Sequence, residues 1–113
     1  MVEKPWGREI WWAMTDAYVG KVIEIDAGKR LSLQKHEVKD ESIYVMAGQL
    51  RLHLENDQGE IEVTDLFPGD AHRVPTGRVH RFEAVTPTQL IEVSTPEVDD
   101  VIRLEDDYGR EGR

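Results

Sequence analysis

The stretch Gly28–Gly48, GKRLSLQKHEVKDESIYVMAG, decides how the chain is read. Its first half, Leu31–His36, is strand-like, and side chains on a strand alternate between two faces. Ser32, Gln34 and His36 therefore share one face, and Leu31, Leu33 and Lys35 share the other. In the second half Glu41 falls on the face of Ile43 and Val45, and further on His80 falls on the face of Phe82. In a small closed barrel the inward face is normally filled with apolar side chains. Gln, His, Glu and His cost free energy there unless something satisfies them, because a buried carboxylate needs a partner. A divalent cation is such a partner: two imidazoles and a carboxylate are a usual minimal set that leaves positions open for substrate. His36 and Glu41 stand five positions apart, so a bend at Val38–Asp40 has to bring them together.

The rest of the chain has the same character. Strand-length runs rich in β-branched and aromatic residues recur (REIWWAM, YVGKVIEI, SIYVM, QLRLHL, EIEVTDLF, HRFEAV, QLIEVS). Turn residues at Glu55–Asp57, Phe67–Asp70 and Pro75–Gly77 punctuate them, which predicts an all-β sandwich or barrel. No helical period persists, and 113 residues suffice for one domain but not two. The core is expected over about residues 17–96, with a strand segment at 1–16 and an acidic tail at 97–113 packing on it or on a partner. That tail reads equally as a short helix, an edge strand or a frayed end.

Composition excludes several functions. With no cysteine, a disulfide framework and every thiolate metal site are ruled out. A net charge of −9 without a basic run argues against nucleic acid. A small anionic metabolite is still compatible, because salt screens distant carboxylates over roughly 8–10 Å. No apolar run approaches the ~20 residues of a membrane span, and the opening MVEKPWGREIWW lacks the marks of a signal peptide. The expected setting is cytoplasmic, with no membrane partner.

Gly28, Gln34, His36, Glu41 and Gly48, with five, one, four and six residues between them, resemble the first motif of the cupin superfamily. Gly69, Pro75, Gly77 and His80 resemble its second. The resemblance implies a single-domain cupin, a double-stranded β-helix or jelly-roll barrel, with Gln34, His36, Glu41 and His80 around one divalent metal. Zinc is the first choice; Mn, Fe, Co and Ni accept the same set. Gln34 stands where most cupins have His, and Ala84 where the second motif ends in Asn. RLSLQKH, the opening KPWG, LIEV at Leu90–Val93 and EDDYGR at Glu105–Arg110 are similar to segments of type II mannose-6-phosphate isomerases. That domain also occurs behind GDP-mannose pyrophosphorylase domains, for which this chain has no room. Members of the family usually carry further His residues where this chain has Glu37, Val38 and Ser42, so a changed lining near the mouth is expected.

The reaction implied is interconversion of mannose 6-phosphate and fructose 6-phosphate, in carbohydrate and polysaccharide metabolism. Glu92, on the face of Leu90 and Ser94, is the first candidate base, with Glu83 behind it. Arg81, Lys35 or Arg73 is expected to hold the phosphate. His53 is expected on the surface, while His72 shares a face with Val74 and could approach the interior. Trp6, Trp11 and Trp12 read as core or interface packing more readily than as a sugar platform. A homodimer built through KPWGREIWW is expected, with Tyr108 and Arg110 as further contact candidates. Two other readings stay open: a non-catalytic sugar-binding cupin, and a two-His-one-carboxylate oxygenase.

Overall fold

The computed structural model describes residues 1–112 of the chain; Arg113, the last residue of the acidic tail, lies outside them. Eleven strands follow one another: β1 (Val2–Lys4), β2 (Gly7–Met14), β3 (Val19–Ile25), β4 (Leu33–Lys35), β5 (Glu41–Ala47) and β6 (Leu50–Glu55), then β7 (Ile61–Leu66), β8 (Ala71–Val74), β9 (His80–Ala84), β10 (Thr88–Ser94) and β11 (Ile102–Glu105). They form a six-stranded sheet, β1-β2-β3-β10-β5-β8, facing a five-stranded sheet, β11-β4-β9-β6-β7. All pairs are antiparallel. Among the described residues no helix is long and apolar enough to cross a membrane.

Register explains where the site lies. Across the inner face of the larger sheet, Ile23, Leu90 and Val45 stand opposite one another in an apolar row. The next inward row toward the polar end is Lys21, Glu92 and Ile43, and the next is Val19, Ser94 and Glu41. The smaller sheet repeats the gradient: Leu50 faces Ala84, Leu52 faces Phe82, and Leu54 faces His80, which pairs in turn with Gln34. One end of the sandwich is therefore a hydrocarbon core and the other carries titratable groups. Phe82, Ile23, Leu50, Leu52 and Leu90 are almost fully buried, each stabilising the fold by roughly 1.5–3 kcal/mol.

Turn chemistry keeps the strands in register. Gly48, between β5 and β6, has φ 88°, and a Cβ there would lie 2.2 Å from the carbonyl oxygen of Pro87. Only glycine accepts both conditions. Gly59, with φ 78°, closes the β6–β7 hairpin beside the Glu55–Asp57 turn.

The termini are built into the sheets. β2 pairs with β3, and Trp6 joins the core at 2% exposure. Trp12 is the extra residue of a bulge in β2, its ring lying over Gly20. The tail is an edge strand, since β11 pairs with β4. Tyr108 packs against this chain's own core.

Candidate metal centre

His36 follows β4 and Glu41 opens β5, so the bend between them sets their meeting. The Asp100 carboxylate fixes that bend, accepting the backbone N–H of Glu37 at 3.1 Å, of Val38 at 2.7 Å and of Lys39 at 2.9 Å. The Thr95 hydroxyl accepts the Asp40 N–H at 3.0 Å, and the Thr76 hydroxyl donates to the Val38 carbonyl at 2.9 Å. Directed this way, His36 and Glu41 join His80, the first residue of β9. The three can place one ligand atom each within 4.8 Å of one another.

Each imidazole is oriented from behind. His36 Nδ1 donates to the Asp100 carbonyl, and His80 Nδ1 donates to the Arg78 carbonyl at 2.9 Å. Such bonds fix the tautomer and leave the lone pair on Nε2. His36 Nε2 lies 3.3 Å, and His80 Nε2 3.1 Å, from Glu41 Oε1. Neither Nε2 nor either Glu41 oxygen has a hydrogen-bond partner among the described residues, and all are buried. Two lone pairs aimed at a carboxylate oxygen repel unless a positive centre lies among them. Ligands at about 2.0–2.2 Å from one ion stand roughly 3.0–3.5 Å apart, so the donor set suits a divalent cation. Gln34 lines the same space, its amide oxygen accepting from the Ser32 hydroxyl at 3.1 Å.

A second layer of charge lies beside the triad. Lys39 Nζ is 3.7 Å from Glu41 Oε2 and 3.4 Å from Glu92 Oε2, and all three residues are buried. Burial opposes charge at Glu41, but Glu92, His36, His80 and Lys39 outweigh it and hold this carboxyl well below the ordinary range. Burial, and then the Glu41 charge, push Glu92 well above it, against the pull of Lys39 and Lys21. Glu9 accepts from Trp11 Nε1 at 2.9 Å and from Lys21 Nζ at 3.4 Å, and Lys21 lies 4.5 Å from the centre of the Trp11 ring.

The groups of this second layer line a cavity with His36 and Glu41, about 550 Å³ in volume and walled by β1, β2 and the segment after β10, and His80 lies behind its lining. Its cations are Lys4, Lys21, Lys39 and Arg103. The three expected phosphate ligands are elsewhere. Arg81 follows an inward residue and so turns outward, donating to the Leu31 carbonyl at 2.9 Å and the Glu105 carbonyl at 3.4 Å. Lys35 alternates away between Gln34 and His36, and is not among the lining residues. Arg73 is exposed and paired with Asp40 at 2.9 Å. Glu83 is bound to His53 at 3.0 Å and also lies outside the cavity. His72 is exposed at the edge strand β8, its Nδ1 donating to the Arg73 carbonyl, and does not reach the triad. Glu92 does face the cavity.

Lys39, Lys21, Glu9, Lys4, Arg103 and Asp100 are missed by the reading of the sequence. Lys21 shares a face with Ile23 and Ile25, a signal that could have placed it inside. Asp100 and Arg103 carry no local signal, since only the pairing of β11 with β4 brings them to the site. Glu37, Val38 and Ser42 are not among the residues that line the cavity. Glu37 and Val38 are exposed, and Ser42 sits between inward Glu41 and Ile43.

Comparison with known proteins agrees with this architecture. An oxalate decarboxylase structure superposes with a TM-score of 0.78 at 18% identity, covering 91% of this chain and 29% of that one. KdgF from Halomonas sp. gives 0.70 at 27% identity, covering 80% and 81%. Among curated relatives, mannose-1-phosphate guanylyltransferase ManC of Salmonella typhimurium is 35% identical over 96% of this chain. Alginate biosynthesis protein AlgA of Pseudomonas aeruginosa is 31% identical over the same share. The chain spans 23% of the length of these two relatives. Residues 1–106 match the family described as mannose-6-phosphate isomerase C-terminal. The chain belongs to that family, and its fold is that of the cupins.

Proposed function

We propose that the chain is a metal-dependent sugar-phosphate isomerase acting on mannose 6-phosphate and fructose 6-phosphate in the cytoplasm. The observation that carries the reading is the convergence of three unpartnered buried ligand atoms with a buried carboxylate, Glu92, in a cavity lined by cations. His36, Glu41 and His80 would hold the ion, zinc before Mn, Fe, Co or Ni, with the Gln34 amide oxygen as a fourth group. When bound, the ion supplies Lewis-acid polarisation of the sugar carbonyl. Glu92 takes the proton from C2 and returns it to C1, so no net proton is consumed. Lys39 holds the Glu92 carboxylate in place. Lys4 and Arg103, which make no ion pair among the described residues, receive the phosphate. Metal-loaded protein should interconvert the two sugars and, in deuterated water, place deuterium at C2 of mannose 6-phosphate. Absence of both would overturn the reading.

The phosphate assignment has its own test. Arg103→Met should raise KM about 10- to 100-fold with kcat nearly unchanged, since a charge-assisted hydrogen bond contributes roughly 1.5–3 kcal/mol. An unchanged KM would move the anion site elsewhere.

We also propose that two copies associate. On the outer face of the larger sheet Ile10, Val22, Ile91 and Tyr44 form one row, and Trp12 covers Gly20 beside it. Trp12, Tyr44, Met46 and Val93 are about half exposed, and so broad an apolar face favours a partner. Light scattering should give twice 13.0 kDa. Trp12→Asp with Tyr44→Asp should give the monomer, and a dimer surviving both changes would place the contact elsewhere.

A further inference from the structure

We infer that Asp100 is the residue that positions the metal centre, acting from the tail through two different groups. Its main-chain carbonyl accepts from His36 Nδ1, which sets the tautomer presenting Nε2 to Glu41. Its carboxylate accepts three consecutive backbone N–H groups, those of Glu37, Val38 and Lys39. These residues join His36 to Glu41 and carry Lys39 to its two carboxylates. One residue thereby orients a candidate ligand and shapes the loop that delivers a second.

The tail is held firmly enough to act as a reference. β11 pairs with β4, the strand that ends next to His36. Arg30 donates twice to Asp107, at 2.7 and 2.9 Å. Val98, Asp99, Val101 and Arg103 from this segment wall the cavity. The clip thus joins the cavity wall and the His36 loop into one unit, and freeing the carboxylate should let both relax.

The inference rests on the metal reading above, and its test separates the two. Metal affinity would be measured by chelator competition on full-length wild type, Asp100→Ala, Asp100→Asn and Arg30→Met. Melting temperature and 15N NMR of the His36 ring would be recorded on the same metal-free proteins. Outer-layer partners of ligating histidines are worth about 10- to 100-fold in metal affinity, so Asp100→Ala should lose that much. Asp100→Asn should fall between, because an amide oxygen still accepts N–H. Arg30→Met removes only the half-exposed ion pair beyond β11, leaving the β11–β4 pairing and the Asp100 hydrogen bonds in place, and should lower the melting temperature slightly while sparing affinity. The wild-type His36 ring should be protonated at Nδ1, and Asp100→Ala should give a mixture of tautomers. A wild type that binds no metal would defeat the metal reading alone, since the tautomer still reports on Asp100. An Asp100→Ala protein with wild-type affinity and a wild-type His36 tautomer would overturn the inference.

Discussion

With His36 and His80 both replaced by alanine, the protein should leave purification with essentially no divalent metal, against about one ion per chain in the wild type. The expected loss is this complete because the two imidazoles supply both neutral ligands of the triad, leaving one carboxylate, Glu41, already beside the Lys39 ammonium, and the weak Gln34 amide oxygen. The fold should survive. The hydrocarbon core around Val45, Leu50, Leu52 and Leu90 is built without either histidine, although His80→Ala removes a ring contact with Phe82. Thermal melting separates the two effects. An ion present at 100 times its dissociation constant stabilises the native state by about 2.7 kcal/mol, so added metal should raise the wild-type melting temperature and leave the double variant unmoved. Equal metal content in the two proteins would remove the site altogether.

Strand alternation made the triad legible. Period two is enforced wherever one sheet face is buried, so Gln34, His36, Glu41, His80 and Glu92 could be assigned inward from neighbours such as Ile43, Phe82 and Leu90. The same rule sets Lys35 on the face opposite Gln34 and His36 and turns Arg81 away from His80, which tells against a phosphate role for either. What the sequence did not disclose depends on long-range register. Arg103 reaches the cavity because β11 pairs with β4 opposite Gln34. Lys4 does so because β1 folds back on β2. Asp100 works largely through backbone groups, to which side-chain patterns are blind. The acidic tail hides its role for a related reason: two of its carboxylates are paired within the chain, Asp107 with Arg30 and Asp106 with Arg110, and composition alone reads such charges as solvated.

Glu92→Gln is expected to lower kcat by about 10²- to 10⁴-fold while metal content stays at the wild-type level, the range for removing a general base. The amide keeps the volume and hydrogen-bonding reach of the carboxylate but cannot accept the C2 proton. It also leaves His36, Glu41 and His80 untouched, which is why metal binding should persist. The pH profile adds a second reading. Burial and the Glu41 charge hold Glu92 above the ordinary carboxylate range, and a base works only when ionised. The rate in the wild type should therefore rise with pH through a limb displaced upward from that range. The residual rate of the variant should lack that limb, since Gln does not titrate. Retention of most of the wild-type rate would move the base. Glu83 could not take the role, because it is bound to His53 outside the cavity. Glu9, which lines the cavity beside Lys21 and Trp11, would then be the carboxylate to replace.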